Sequence, residues 1–226
     1  VSVDDAQSVC PYLGLAPYGP DQADWFFGRT RATESLVDLV GRSATGGGIT
    51  LVIGASGAGK SSLLAAGLLP ALAGDDSPVP GSAQWPVVRI SPGATPLHTL
   101  LTEIPTLQVD VDDIDPAVVR AQTMAWSEGR QVLIVVDQGE EMFTVCAEDV
   151  ERSAFLATLS AMTQRDDEPP AAVVVIGIRA DFYARCLEYP ELEGGLQRRS
   201  LALGPMRITE LREAIARPAK AVGLKR

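Results

Sequence analysis

The 226-residue chain has a formal net charge of −10 and 46% hydrophobic residues, a balance typical of a folded domain rather than a disordered chain. This acidity, without any basic cluster that interleaves aromatic residues, argues against direct nucleic-acid binding. Three widely spaced cysteines exclude a disulfide framework, and a single histidine, His98, excludes histidine-based zinc sites and Ser-His-Asp catalysis.

The sequence carries no signal for export or membrane insertion. No run reaches the roughly 20 apolar residues of a membrane span, and residues 1–10 lack the basic start and apolar middle of a signal peptide. We therefore expect a cytoplasmic protein with no membrane partner. The last residues, "AVGLKR", contain no terminating element, which indicates a domain cut from a longer protein.

Five apolar runs predict the strands of a central sheet. Four of them, at 49–53, 86–90, 131–136 and 171–178, are continuous and rich in β-branched residues, as in strands buried on both faces of a mostly parallel sheet. A shorter fifth strand is predicted at 200–206.

Helical patterns alternate with these strands. They predict a helix directly after the first strand, a short one with His98 at its surface, and longer ones at 116–129 and 149–165. The hydroxyl of Thr209 is predicted to cap a last helix. Strand and helix in alternation predict an α/β fold with a three-layer αβα core around five strands.

The stretch "GASGAGKS" lies between the first predicted strand and the helix after it. Gly54, Gly59, Lys60 and Ser61 complete the pattern G-x-x-x-x-G-K-[ST] in the context that this motif requires. A polyphosphate needs several backbone N–H groups that point inward together, and glycines let the main chain curl that tightly. The pattern predicts a phosphate-binding loop (P-loop); the alternative is a flexible Gly/Ser linker.

This loop predicts a nucleotide site and one metal ligand. Lys60 is predicted to reach the β- and γ-phosphates and to act in catalysis, and Ser61 to offer its hydroxyl to Mg²⁺. The residues predicted to bind the nucleotide here are Gly54, Ser56, Gly57, Ala58, Gly59, Lys60, Ser61 and Ser62.

A carboxylate that binds the magnesium ion is expected at the end of another buried strand. Asp137 directly follows the apolar run "VLIVV", where parallel sheets hold their ligands, and is the second predicted metal residue. Glu140 and Glu141 follow it, and at least one is predicted to polarise the water that attacks the γ-phosphate. The alternative is that both are solvated glutamates in the first turn of a helix.

Arginines at strand ends are further candidates for the site. Arg179 ends the fourth predicted strand, where it could contact the γ-phosphate or stabilise transferred charge. Alternatively, it forms a structural pair with Asp181 or a neighbouring glutamate. Arg198 and Arg199 precede the fifth strand and are either a solvated basic turn or an arginine finger.

Together these stretches resemble the STAND class of signal-transducing P-loop ATPases, a NACHT-related branch of the AAA+-like lineage. The likeness is greatest to bacterial members fused to propellers of WD repeats or to helical repeats. The stretches that carry it span most of the chain and are "CPYLGLAPYGPDQADWFFGRTRATESLVDLV", "GASGAGKSSLLAAGLLPAL", "VLIVVDQGEEMF", "IGIRADFYARCLEYPELEGGL" and "LALGPMRITELREAIARPAKAVGL".

The resemblance implies a nucleotide-controlled switch. It implies that the "FFGR" segment lies beside the adenine, with Gly28 and Arg29 at the nucleotide, and that Arg179 is a sensor arginine. It implies slow, Mg²⁺-dependent ATP hydrolysis, a compact ADP form and an open ATP form that self-associates. Repeat or effector domains of the same protein are the implied partners.

The resemblance also implies a division of the chain. Residues 1–30 are an N-terminal linker with the adenine-side segment, 31–206 the P-loop core and 207–226 the start of a helical lid. The rest of the lid and a winged-helix segment are expected beyond Arg226.

The sequence excludes two other classes of P-loop protein and leaves two further classes open. A GTPase needs an Asn-Lys-x-Asp guanine reader, and the chain contains no asparagine. An ABC ATPase needs an LSGGQ-like signature, which is absent between 110 and 131. A small-molecule P-loop kinase with its lid at 180–199 and a nucleotide-binding scaffold that does not hydrolyse both stay open.

Overall fold

The apolar runs form a five-stranded sheet. The computed structural model describes residues 10–165 and 167–222. The strands are β1 (Thr50–Gly54), β2 (Val87–Ile90), β3 (Val132–Val136), β4 (Ala172–Arg179) and β5 (Ser200–Leu203). They pair in the order β2-β3-β4-β1-β5, and every neighbouring pair is parallel.

Helices cover both faces of this sheet. They are α1 (Thr30–Gly46), α2 (Lys60–Ser62), α3 (Leu69–Ala73), α4 (Pro96–Glu103), α5 (Pro116–Trp126), α6 (Glu141–Thr144), α7 (Asp149–Met162), α8 (Tyr183–Cys186), α9 (Pro190–Arg198) and α10 (Ile208–Ala221). A π-helical segment, Leu63–Leu68, joins α2 to α3, so the chain after the P-loop is helical without a break. Short 3₁₀ helices occupy Pro20–Trp25, Ser82–Gln84 and Ala180–Phe182.

Neighbouring positions along the inner strands pack into separate cores on the two faces of the sheet. From β3, Val132, Ile134 and Val136 pack with residues of α4, α7 and α9. Leu133 and Val135 pack with α1 and the helix after the P-loop. Burying a side chain of this size stabilises a fold by about 1.5–3 kcal/mol, so every position of β3 contributes. The prediction of strands buried on both faces is confirmed for β1, β3 and β4. It is wrong for β2, an edge strand that buries Val88 and Ile90 but exposes Val87 and Arg89.

Some predicted boundaries are wrong. β5 ends at Leu203 instead of at 206, because Pro205 has no N–H to donate to a neighbouring strand. The helices predicted at 116–129 and 149–165 are α5 and α7, and each ends three residues earlier than predicted.

The predicted cap of the last helix is also wrong. α10 begins at Ile208 with Arg207 as its N-cap, so Thr209 lies inside the first turn. The Glu210 carboxylate accepts a hydrogen bond from the Arg207 backbone N–H at 2.8 Å, which stabilises this earlier start.

His98 is exposed on α4, as predicted. In the part of the chain that the structure describes, no helix is both long enough and apolar enough to cross a membrane.

Candidate functional site

The P-loop forms the turn between β1 and α2. Gly54 ends β1, and Gly57 and Gly59 have φ angles of 73° and 89°, a region that favours glycine. A Cβ atom at Gly54 would lie 2.7 Å from the Leu203 carbonyl oxygen, so β5 packs directly against the start of the loop. The glycines therefore permit both the curl of the loop and the close packing beside it.

Lys60 is buried against the loop that precedes it. The residue is 8% exposed, and its ammonium donates hydrogen bonds to the carbonyl oxygens of Gly54 (2.9 Å) and Ala55 (3.1 Å). Burial lowers the pKa of Lys60, and the nearby carboxylates of Glu140 and Asp137 oppose that shift. An ammonium has three N–H donors, so one is left for an anion in the loop.

Asp137 and Ser61 meet at the carboxyl end of the sheet. The Ser61 hydroxyl donates a hydrogen bond of 2.9 Å to Asp137 Oδ1. The backbone N–H of Asp137 donates to the Ile90 carbonyl oxygen at 2.9 Å, so pairing between β3 and β2 fixes its position. The sequence prediction that these two side chains lie together therefore agrees with the geometry.

The two side chains have the chemistry of a magnesium site. Mg²⁺ prefers oxygen ligands and is commonly held by one or two protein groups, with water and substrate phosphates completing its shell. Across residues 10–165 and 167–222, no group of three or more His, Cys, Asp and Glu side chains could hold a metal by itself. A cation between Ser61 and Asp137 would thus depend on phosphate oxygens and water.

The two glutamates after Asp137 contact different elements. The Glu140 carboxylate accepts a hydrogen bond from the Arg179 backbone N–H at 3.2 Å, at the end of β4. The Glu141 carboxylate accepts one from the Gly93 backbone N–H at 3.1 Å, in the loop after β2. Among the carboxylates that raise the pKa of Lys60, Glu140 has the largest effect. Glu140 thus lies toward the P-loop, whereas Glu141 holds the β2–α4 loop.

Arg179 lies beside the P-loop, with its side chain paired to Asp181. In the parallel pairing of β1 and β4, Arg179 is in register with Gly54. Its guanidinium donates to both Asp181 carboxylate oxygens, at 3.1 and 2.6 Å, and lies 5.6 Å from the centre of the Phe182 ring. The structure therefore contains the alternative arrangement that the sequence left open, a pair between Arg179 and Asp181.

Arg198 and Arg199 lie at the opposite edge of the sheet. They precede β5, at the amino end of the strands, whereas the P-loop follows the carboxyl end of β1. Burial lowers the pKa of Arg199, and the charges of Arg198 and Arg42 lower it further. These arginines therefore lie at the end of the sheet away from the P-loop of their own chain.

Arg29 connects the P-loop to the turn after β5. It is 7% exposed, and its Nη2 donates to the carbonyl oxygens of Ala58 (2.8 Å) and Gly204 (3.0 Å). Its Nε is buried, and no residue in the described part of the chain accepts a hydrogen bond from it. Gly28 has a φ of 83°, and a Cβ atom there would overlap the Glu210 carbonyl oxygen, so α10 packs on this segment.

A cavity of about 780 Å³ opens above the P-loop, within the size range of small-molecule sites. One wall is the backbone of the P-loop, and the other is mainly apolar. The apolar wall consists of Ile53, Ala202, Leu203, Pro205, Met206 and Leu211. Arg29 lies between the two walls. A smaller cavity of about 440 Å³ has a charged lining, lies between the starts of α1 and α10, and does not include the P-loop.

The sequence did not predict the contacts that the segment before α1 makes with the end of the P-loop and with α10. The Tyr18 backbone N–H donates to the Ser62 hydroxyl at 3.1 Å, and the Tyr12 hydroxyl donates to the Ile215 carbonyl oxygen at 2.5 Å. No motif marks these tyrosines. The apolar turn 204–206 was missed too, although Gly-Pro directly after a strand is a turn signal.

Proteins that combine such a loop, its buried lysine and a carboxylate at a nearby strand end are P-loop NTPases, and the parallel sheet between two helical layers is their architecture. More specifically, the chain belongs to the Novel STAND NTPase 1 family, whose model matches residues 11–226. No curated protein matches the chain. The predicted STAND resemblance is confirmed, and family membership supports nucleotide binding in general.

A solved structure of similar fold is the Aeropyrum pernix ORC2 protein in ADPNP-ADP complexes. The TM-score is 0.54 at 14% sequence identity, and the match covers 96% of this chain and 56% of that chain. The likeness shows the fold alone, and this chain spans little more than half the length of that protein. The predicted fold class is confirmed.

Proposed function

We propose that this protein binds ATP with Mg²⁺, hydrolyses it slowly and acts as the nucleotide-controlled switch of a larger signalling protein. The observation that carries the proposal is the 2.9 Å hydrogen bond between Ser61 and Asp137, at the mouth of a P-loop whose lysine is buried. Two oxygen ligands and a cationic loop at one strand end suit a metal–triphosphate complex.

The P-loop takes the phosphates in this proposal. Backbone N–H groups at 56–59, with Ser62 just beyond, surround the phosphate chain, and the Lys60 ammonium donates its third N–H to a phosphate oxygen. Ser61 and Asp137 would hold the magnesium ion, which would supply positive charge beside the phosphates.

Glu140 is our candidate for the residue that orients the attacking water. It lies toward Lys60, and its backbone-anchored carboxylate has a second oxygen left to accept a proton or a hydrogen bond. Glu141 serves as a positioning residue, because its carboxylate is engaged by Gly93. Arg179 contacts the γ-phosphate once it has left Asp181.

The apolar wall of the cavity takes the base. Met206 and Leu211 offer the apolar surface on which a flat ring packs. The Arg29 Nε, for which the described residues offer no acceptor, is a donor for the nucleotide. Gly28 contributes indirectly, because it lets α10 approach the segment that carries Arg29.

A kinase is the weaker proposal. The segment 180–199, which a kinase would use as a mobile arginine lid, is packed: Leu192 and Leu196 of α9 are buried in the core. Arg185 in this segment pairs with Glu188 at 3.0 Å. Membership of an NTPase family also favours the ATPase.

The switch role is supported by α10. Ile208, Leu211 and Ile215, spaced along one side of this helix, are exposed apolar residues. We propose that 207–226 begins a helical lid, that 31–206 is the motor core and that 1–30 is the linker on the adenine side. Residues 1–9, 166 and 223–226 lie outside the described residues.

Repeat or effector domains of the same protein, and copies of it in the ATP form, are the proposed partners of this switch. The proposed location is the cytoplasm, where ATP is supplied and thiols stay reduced. The described cysteines, Cys10, Cys146 and Cys186, are all free thiols.

Titration of a fluorescent ATP analogue with Mg²⁺ tests the proposal. Lys60→Ala should weaken binding by about 10- to 150-fold, since a charge-assisted contact to phosphate contributes about 1.5–3 kcal/mol. Lys220→Ala, which removes an exposed lysine from α10, is the matched control and should bind like the wild type. Wild-type affinity in Lys60→Ala, with an unchanged circular dichroism spectrum, would count against the site.

A further inference from the structure

We propose that Asp181 competes with the γ-phosphate for Arg179 and thereby sets the preference of the site between ATP and ADP. This inference rests on the proposed function. It assigns Asp181 as a positioning residue that acts mainly through Arg179, with a smaller direct effect of its own charge.

The backbone of Arg179 is fixed while its side chain is free to exchange partners. Arg179 is the last residue of β4, in register with Gly54, and its backbone N–H is bound by Glu140. The guanidinium therefore starts at the edge of the P-loop, and only rotation of the side chain decides whether it faces Asp181 or the cavity.

The pair with Asp181 has the form of a phosphate contact. Two parallel N–H donors of the guanidinium meet two carboxylate oxygens, at 3.1 and 2.6 Å, and the same pair of donors binds phosphate oxygens in the same geometry. Both side chains are partly open to water, at 40% for Arg179 and 56% for Asp181, so solvent screens the pair. Because the pair is screened, the Arg179 guanidinium can leave Asp181 for a phosphate, which carries more negative charge.

Asp181 also acts directly on the charge of the site. Its carboxylate and the Arg179 guanidinium both lie close enough to Lys60 to change the electrostatic environment of the ammonium. The γ-phosphate of ATP would add negative charge beside the Asp181 carboxylate. ADP lacks this phosphate and would add less negative charge there. Asp181 therefore disfavours ATP twice: it occupies Arg179 and it repels the third phosphate.

The test compares the dissociation constants of Mg·ATP (or a non-hydrolysable analogue) and Mg·ADP by calorimetry. We expect Asp181→Asn to raise the preference for ATP over ADP by about fivefold, with ADP affinity within about twofold of the wild type. Asp181→Glu, which keeps the carboxylate, should have an ATP/ADP affinity ratio close to that of the wild type. Glu188→Gln, which breaks the similarly exposed Arg185–Glu188 pair, is the matched control and should leave the ratio unchanged.

The double variant shows whether the effect acts through Arg179. In the Arg179→Ala background, Asp181→Asn should change the ATP/ADP ratio by less than in the wild type, because the competed group is gone and only the direct repulsion by Asp181 remains. An unchanged ratio in Asp181→Asn, with both nucleotides bound, overturns the role of Asp181 and leaves the proposed function intact. Failure of the wild type to bind either nucleotide overturns both.

Discussion

Two adjacent glutamates after β3 differ in what their carboxylates contact, and this difference predicts different phenotypes. We expect Glu140→Gln to lower the single-turnover rate of ATP hydrolysis by about 10²-fold or more, because loss of a general base typically costs 10²–10⁴. Nucleotide affinity should change little, since Glu140 does not belong to the P-loop.

Glu141→Gln is the matched comparison. Glutamine is as long as glutamate and keeps one oxygen that can accept the hydrogen bond from the Gly93 N–H. We therefore expect a single-turnover rate within about tenfold of the wild type. Rapid-quench measurement with radiolabelled ATP distinguishes the variants. Equal losses in both would remove the assignment of Glu140 as the water-orienting residue.

Sequence alone could not separate these two residues. Each carboxylate is fixed by a backbone N–H distant in the chain, 39 residues away for Glu140 and 48 for Glu141. The P-loop residues, by contrast, form a local motif that is readable without the fold. Asp137 was predictable as well, because an acidic residue directly after a buried run marks a strand end.

At the scale of elements, the contact between α10 and the segment before α1 depends on Gly28. We expect Gly28→Ala to undock α10, because the new Cβ atom would overlap the Glu210 carbonyl oxygen and Gly28 has a left-handed φ of 83°. Hydrogen exchange measured by mass spectrometry should show amides of 208–221 exchanging about tenfold faster, the equivalent of ~1.4 kcal/mol.

Gly129→Ala provides the control for backbone strain. Gly129 has nearly the same φ, 81°, but apart from its chain neighbours no atom of the described residues lies within 4 Å of the position of a new Cβ atom. This variant should therefore carry the strain without the clash, and exchange in α10 should stay as in the wild type. Equal acceleration in both variants would show that the clash with Glu210 does not control α10.

The elements differ in how well their patterns predict them. The inner strands β1, β3 and β4 were predictable because they are buried on both faces, which leaves a continuous apolar run. The edge strands β2 and β5 expose part of their residues. The helices between Arg179 and β5 were not, since α8 is only one turn long and α9 directs few apolar residues, chiefly Leu192 and Leu196, into the core. The start of α10 was mispredicted because a glutamate in the first turn outweighed the threonine hydroxyl as a cap.

For the whole molecule, one buried thiol predicts how stability depends on pH. Burial raises the pKa of Cys186 to about 11, whereas a thiol in the unfolded chain ionises near pH 8.5. Between these values the folded state keeps a proton that the unfolded state has lost, so stability is fully present below about pH 8.5 and falls toward pH 11. Each pH unit in that window costs up to about 1.4 kcal/mol.

Urea denaturation at several pH values from 8 to 11 measures this effect. The variant Cys186→Ala has no thiol to ionise, so the loss of stability with pH should be shallower than in the wild type. Cys10→Ala removes an exposed thiol and should keep the wild-type slope. Identical slopes in all three proteins would contradict the contribution of Cys186.

The overall architecture followed from the sequence more fully than the site did. Buried strands and intervening helices predict an α/β sandwich whatever the details of the loops. The site depends on contacts between distant parts of the chain, such as the hydrogen bond from Arg29 to Gly204, which spans 175 residues. No local pattern contains that information.

That hydrogen bond has a mechanical consequence. A single Arg29 nitrogen serves the carbonyls of both Ala58 and Gly204, so one side chain crosslinks the fourth residue after β1 to the first residue after β5. If a ligand rotated the Ala58 peptide, this buried cation would lose one of its two carbonyl partners. We expect occupancy of the P-loop to be passed to the chain leading into α10 through this one guanidinium.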